Sequence, residues 1–180
     1  ECYGIDGQLL EWFRNFLTNR QQRVIVRGSR SNWTRVKSGV PQGTILGPIL
    51  FLVYINDLPS EIQSPIKLFA DDTKLYRKLV NRVTDTNILQ SDLNNIETWS
   101  DIWQLKFDSE KCETMRTTHA KDFSKPEYYM SNKKLQVVGK VKDFGYYSDT
   151  PLDMETQVFN DVNKANRILG FVRRTVGSSN

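Results

Sequence analysis

Asp71 and Asp72 stand side by side in Phe69-Ala70-Asp71-Asp72, where two ionised carboxylates repel each other unless a cation joins them. Hard oxygen ligands of this kind suit Mg²⁺, which keeps several waters and takes phosphate oxygens in its remaining octahedral positions. The chemistry open to such a pair is metal-assisted transfer of a phosphorus-centred group. Ile66, Leu68 and Ala70 alternate with other residues before the acids, and Lys74-Leu75-Tyr76 resumes an extended pattern after them. The pattern predicts a strand-turn-strand hairpin with both carboxylates at its apex. An acidic pair alone is common in surface turns, where Asp bonds nearby backbone N–H groups. This pair instead follows the apolar Leu68-Phe69-Ala70 and precedes Thr73-Lys74-Leu75-Tyr76, without the Gly or Pro of an ordinary turn.

A second constellation, Gly39-Val40-Pro41-Gln42-Gly43, lies upstream. Pro41 fixes one dihedral and Gly43 lets backbone approach a ligand closely, so Gln42 between them gains a defined direction. On these residues alone a plain strand-to-helix turn is the favoured reading. The single histidine, His119, argues against histidine-based metal sites and reads as a surface loop residue. Cys2 and Cys112 are far apart and neither belongs to a C-x-x-C pair, so neither a zinc site nor a disulfide scaffold is supported, and a reducing, intracellular compartment is expected.

The elements that must position these residues form a mixed α and β pattern without repeats. Asp6 to Leu17 reads as a helix with Leu9, Leu10, Phe13, Phe16 and Leu17 on one face and Asp6 as N-cap. Arg23 to Arg27 and Trp33 to Lys37 read as two strands of a hairpin about a Gly28-Ser-Arg-Ser turn. Pro48 fits the first turn of a helix through Ile49 to Ile55, buried on most sides and stopped at Asn56-Asp57-Leu58-Pro59. Thr84 to Trp103 is predicted as an amphipathic helix with Ile88, Leu89, Leu93, Ile96, Trp99 and Trp103 facing a core. Short strands are expected at Leu105 to Phe107, Glu113 to Thr117, Leu135 to Val138 and Phe144 to Tyr147. Helices on one face of an antiparallel sheet make an α+β architecture.

With 180 residues, 38% apolar and 11% aromatic, the chain suffices for one core. It opens at Glu1-Cys2-Tyr3 without a start Met or a signal-peptide pattern, so it reads as an excerpt. The apolar run from Ile45 to Ile55 is broken by Gly47 and Pro48 and is well short of the roughly 20 residues that span a bilayer, so no membrane segment is expected. Of the formal net charge of +4, all lies beyond Asp161, where Lys164, Arg167, Arg173 and Arg174 remain and no acidic residue follows. Val158, Val162, Ala165, Ile168, Leu169 and Val172 recur there at helical spacing, so the bases are expected on the other faces of an amphipathic helix, either as a solvated surface or as a phosphate-attracting one.

The string from Val40 to Pro59, followed by Leu68-Phe-Ala-Asp-Asp-Thr-Lys-Leu-Tyr76, closely resembles the reverse transcriptases of non-long-terminal-repeat retrotransposons, LINE-like and of the jockey or CR1 type. The resemblance extends in order through Tyr3-Gly4-Ile5, Trp12, Asn19-Arg20, Trp103-Gln104-Leu105-Lys106-Phe107, Lys111-Cys112, Asp143-Phe144-Gly145 and Asn163 to Gly170. Two departures touch local detail: Phe144 and Tyr146 replace smaller aliphatic residues, and Asp108 and Ser109 replace Asn and Pro.

The resemblance implies a right-hand polymerase palm over residues 1–150, continuing into the start of the thumb over 151–180, with the fingers missing. It implies Asp71 and Asp72 as ligands of two Mg²⁺ ions, or Mn²⁺, and Asp71 as the principal ligand. Pro41, Gln42, Gly43, Phe69 and Ala70 would line the nucleotide pocket. Lys111 would protonate the leaving pyrophosphate, Phe144, Gly145 and Tyr146 would grip the primer, and Lys164, Arg167, Arg173 and Arg174 would touch nucleic acid. The partners implied are an RNA template, a DNA primer and deoxynucleoside triphosphates, with residence in the nucleus and cytoplasm. A further catalytic aspartate is expected upstream of Tyr3, so the chain alone is expected to be inactive. The competing readings are a noncatalytic nucleic-acid-binding remnant of such an element and, ranked last, a maturase-type palm.

Overall fold

The structure, a computed structural model, describes residues 3–118, 126–143, 146–151 and 154–177. Cys2, His119, Phe144 and Gly145 lie outside these described residues. The chain divides into two compact units, one of Glu1–Ser60 with Ile66–Lys74 and one of Glu61–Pro65 with Leu75–Asn180.

In the first unit, α1 (Gly7–Leu17) begins after an extended Asp6, whose carbonyl accepts the Leu10 N–H at 3.2 Å while its side chain makes no capping bond. It stops at Thr18, whose N–H and hydroxyl both donate to the Arg14 carbonyl, at 3.0 and 2.8 Å. A two-part ribbon follows, built of β1 (Gln21–Gln22), β2 (Ile25–Val26), β3 (Ser29–Arg30) and β4 (Thr34–Arg35), with β1 antiparallel to β4 and β2 to β3. Between the pairs Gln22↔Thr34 and Ile25↔Arg30, Arg23-Val24 on one arm faces Ser31-Asn32-Trp33 on the other, so the longer arm bulges. The expected hairpin is present, but its turn is Arg27-Gly28, not Gly28 to Ser31. Both turn residues have positive φ, 47° and 86°, the backbone of a two-residue turn whose twist matches the strands it joins.

Helix α2 (Leu46–Ile55) leads into a 3₁₀ turn, Leu58–Glu61. Ile55 and Leu58 are buried, yet Ile49 and Leu52 are more than half exposed, so α2 is not enclosed on most sides as its sequence suggests. An apolar run without polar periodicity does not reveal which of its faces a small unit can cover. Two further strands, β5 (Ile66–Phe69) and β6 (Asp72–Leu75), pair as a hairpin.

The second unit is organised by α3 (Arg82–Trp103). Asn81 caps it by accepting the Thr84 N–H at 3.3 Å, and Gln104 ends it in the left-handed conformation, φ 56°. Ile96 and Trp99 are buried, whereas Trp103 is 42% exposed and does not belong to the core expected of it. Ser100 Oγ donates to the Leu105 carbonyl at 2.7 Å, and the Leu105 N–H donates to the Ser100 carbonyl at 3.1 Å. Leu105 is thereby absorbed into the helix end, and Leu105–Phe107 is not a strand.

The remaining strands are β7 (Glu113–Met115), β8 (Tyr129–Met130), β9 (Lys133–Lys134), β10 (Gln136–Val138), β11 (Lys140–Asp143) and β12 (Tyr146–Asp149). Among the described residues every sheet is a two-stranded ladder, and β7 pairs with β10 in parallel, against the expectation of a uniformly antiparallel sheet. Helix α3 docks on β8 by hydrogen bonds as well as apolar contact: the Gln90 amide donates to the Tyr129 carbonyl at 2.8 Å and accepts the Tyr129 N–H at 2.9 Å. Tyr128, Met130 and Leu135 complete the buried apolar set with Ile96 and Trp99. Finally, α4 (Glu155–Gly177) is anchored at its first turn, where the buried Gln157 accepts the Tyr147 N–H at 2.8 Å and donates to Asp161 at 2.7 Å.

Candidate active site

The β5–β6 hairpin forms as its alternation predicts, but only Asp71 lies in the turn, and Asp72 is the first residue of β6, not part of the apex. Ile66 and Leu68 are half-buried while Lys67 and Phe69 are exposed, and on the return Thr73 and Leu75 are half-buried while Asp72 and Lys74 are exposed. The turn is Ala70-Asp71, with Ala70 at φ 49°. That region crowds Cβ against backbone and costs about 1 kcal/mol or more for a residue other than Gly, so the apex is held in a conformation its own sequence disfavours. Below the strands, the Tyr76 N–H donates to the Pro65 carbonyl at 3.1 Å and closes the base of the loop. Asp71 and Asp72 are exposed, and among the described residues neither side chain takes a hydrogen bond or an ion pair. Two adjacent free carboxylates are a hard donor set that fits a divalent cation such as Mg²⁺. Among the described residues no group of three or more His, Cys, Asp and Glu forms a larger cluster.

The Val40–Gly43 turn is fixed to α2 by one hydroxyl. Thr44 Oγ1 donates to the Pro41 carbonyl at 2.9 Å and accepts the Gly47 N–H at 3.1 Å, so it ties the turn to the first turn of the helix. Gly47 is buried because that carbonyl comes so close: a Cβ there would meet it at 3.1 Å. Gly39 and Gly43 have φ of 82° and 78°, which Gly alone adopts without strain. Gln42 is exposed between them. Arg20 holds the other end, donating from Nε to the Leu17 carbonyl at 2.9 Å and from Nη2 to the Gly39 carbonyl. Thr44→Val keeps the shape and removes both bonds. It is expected to lower stability by about 1 to 2 kcal/mol, the usual cost of a lost helix cap, with Thr44→Ser near wild type; chemical denaturation measures both.

Pro41, Gln42, Gly43, Phe69, Ala70, Asp71 and Asp72 thus belong to the first unit, while Lys111, Tyr146 and the bases of α4 belong to the second. Lys111 is 86% exposed and pairs with Asp108 at 3.3 Å. The Glu110 backbone N–H, and after it Lys111, hold the Asp108 carboxyl below the usual carboxylate range. Tyr146 is exposed at the start of β12. Cys112 is a free, half-buried thiol whose pKa burial pushes up. On α4, Lys164, Arg167, Arg173 and Arg174 are all exposed, and Lys164 pairs with Asp161 at 3.6 Å. The helix is longer than its apolar spacing predicts, and its apolar stripe is open: Val158, Val162, Leu169, Val172 and Val176 are all exposed. Arg173 falls three turns after Val162, on the margin of that stripe, and so does not share the opposite face with Lys164, Arg167 and Arg174.

Two features escaped the sequence reading. Asp92 is fully buried, and its two carboxylate oxygens accept the N–H groups of Gln63 and Ser64 at 2.8 and 2.9 Å. Its signal was position, since it lies one turn after Ile88 and one turn before Ile96 on the apolar face of α3. Ser64 also accepts from Arg77 at 3.3 Å, and Arg77 pairs with Asp85 at 2.9 Å, which with the N–H groups of Asn81 and Val80 holds the Asp85 carboxyl below its ordinary range. The second is a charge segregation inside the neutral stretch ending at Asp161. No acid occurs between Glu11 and Asp57, while Arg14, Arg20, Arg23, Arg27, Arg30, Arg35 and Lys37 all do.

The family profile for reverse transcriptase (RNA-dependent DNA polymerase) matches residues 2–168. Similar curated proteins include the RNA-directed DNA polymerases from mobile element jockey of Drosophila melanogaster, 33% identical over 58% of this chain, and of Drosophila funebris, 30% identical over 64%. The probable RNA-directed DNA polymerase from transposon X-element of Drosophila melanogaster is 26% identical over 81% of the chain. The chain spans 12%, 14% and 16% of the lengths of these three relatives. No solved structure matches it.

Proposed function

Because the chain belongs to the reverse transcriptase (RNA-dependent DNA polymerase) family, we propose that it forms the palm and the start of the thumb of an RNA-directed DNA polymerase of a LINE-like retrotransposon. The observation that carries this reading is the pair of adjacent free carboxylates where β5–β6 turns, Asp71 in the turn beside the positive-φ Ala70 and Asp72 at the start of β6. Asp71 and Asp72 would hold two Mg²⁺ ions. When bound, these ions stabilise charge on the attacking and leaving oxygens of an in-line displacement. The reaction joins a primer 3′-hydroxyl to the α-phosphate of a deoxynucleoside triphosphate copied against RNA, and releases pyrophosphate. Pro41, Gln42, Gly43, Phe69 and Ala70 form the wall of the nucleotide pocket, with Gln42 aimed by the clamp that Thr44 and Arg20 provide. Lys111 donates a proton to pyrophosphate. Phe144, Gly145 and Tyr146 hold the primer end, and the bases of α4 hold the template-primer backbone. The polymerase acts in the nucleus and cytoplasm.

The chain by itself is expected not to extend a primer, because a third carboxylate and the fingers that orient the triphosphate are assigned to other parts of the polymerase, and orientation supplies several kcal/mol of such a barrier. The test is primer extension on an RNA template with Mg²⁺, comparing the full-length protein with these 180 residues. Extension by the full-length protein alone supports the reading. Binding of template-primer without extension by either would instead support the remnant, and extension by the short chain would show that the catalytic set is complete without upstream residues.

A further inference from the structure

We propose that the β1–β4 ribbon is a second nucleic-acid-binding surface, which takes the sugar-phosphate backbone of the template-primer. Soluble surfaces ordinarily intersperse both signs of charge, yet the ribbon lies inside the acid-free stretch between Glu11 and Asp57. Its bases divide by what the structure asks of them. Arg20 and Arg35 are used internally, Arg20 on the Leu17 and Gly39 carbonyls and Arg35 on Asn19 at 3.4 Å. Arg27, Arg30 and Lys37 are exposed, and among the described residues their side chains have no hydrogen-bonding or ionic partner.

Geometry groups Arg27 and Arg30, while Lys37 lies two residues beyond β4. Pairing of Ile25 with Arg30 puts both on one face of the ribbon, and Arg27 stands at its tip. Arg23 lies 4.5 Å over the ring of Trp33, which is itself 58% exposed. An ordinary solvated surface would neither exclude acids so fully nor leave a Trp and the apolar Val24, Ile25 and Val26 open beside the charges. A backbone of phosphates and sugars supplies both partners that the face lacks, anions for the guanidinium groups and apolar sugar edges for the ring. Both hybrid duplex and single strand present that chemistry.

The proposal takes only its ligand class from the polymerase reading, and its test reads binding, not chemistry. In the full-length protein, Arg27, Arg30 and Lys37 are changed together to Gln, and affinity is measured against salt on two probes, a blunt RNA-DNA hybrid duplex and a single-stranded RNA of equal length. Each phosphate that the protein no longer neutralises flattens the logarithmic salt dependence by about 0.7 to 0.9 units, so the expected decrease is about 2 to 3 units on the probe that the ribbon holds. The variant Arg27→Lys with Arg30→Lys keeps the charge and is expected to retain the parent slope. Should the Gln variant melt early, Ser29→Glu with Asn32→Glu introduces acids at exposed positions without removing a base, and the same flattening is expected. Unchanged slopes on both probes in a folded variant would overturn the proposal, whereas loss of synthesis in Asp71→Asn with slopes intact would leave it standing.

Discussion

Asp71→Asn in the full-length protein is expected to reduce primer extension by roughly 10³-fold or more while leaving folding and nucleic-acid binding near wild type. The two side chains have the same shape, and Asp71 is exposed at the turn with no hydrogen bond or ion pair among the described residues, so nothing in the fold depends on its charge. What the substitution removes is one negative oxygen ligand from a pair of carboxylates, and with it several kcal/mol of charge stabilisation where the triphosphate reacts. Single-turnover incorporation measures the loss, and thermal melting with template-primer binding serves as the control. Substantial residual synthesis, or a comparable drop in melting temperature, would sink the assignment.

The second large effect is on stability. Asp92→Ala is expected to destabilise the protein by about 1 to 3 kcal/mol, the cost of leaving the buried Ser64 N–H unpaired. Asp92 is fully buried and accepts two N–H groups, one on the buried Ser64 and one on the exposed Gln63, in the segment that leads directly into β5. Asp92→Asn keeps one acceptor and gains an unmatched donor, so an intermediate loss is expected. Denaturant titration ranks the parent and the two variants. Equal midpoints for the parent and Asp92→Ala would mean that water satisfies those N–H groups as well as the carboxylate does.

Sequence periodicity located α1, α3 and α4, because three-to-four spacing registers a face whether or not that face is later covered, while α2 was marked by Pro48 and the apolar run after it. It could not decide coverage. The stripe on α4 and the outer side of α2 look like core in the sequence and are open in the structure. The acidic hairpin was legible because alternation on both sides of Asp71-Asp72 fixes which residues face outward. The strained φ of Ala70 was not, since an alanine carries no mark of positive φ. Leu105–Phe107 resembled a strand until Ser100 took the Leu105 carbonyl, a side-chain bond that no residue pattern announces. The parallel pairing of β7 with β10 joins segments well separated along the chain and so leaves no local trace. Asp92 was visible as a polar residue in an apolar row, but its partners in the loop before β5 lie beyond the reach of helical spacing.

Arg20 has a mechanical consequence. One guanidinium grips the last carbonyl region of α1 and the carbonyl of Gly39, and the Arg20 carbonyl also accepts the Val36 N–H at 2.9 Å, so both legs of the ribbon are bolted at a single residue. Both legs of the ribbon and the end of α1 therefore share one anchor, and Arg20→Ala would release the Leu17 and Gly39 carbonyls at once. Gln42 lies only three residues beyond that anchored Gly39, so the same guanidinium that closes the base of the ribbon also fixes where the Pro41-Gln42-Gly43 turn begins.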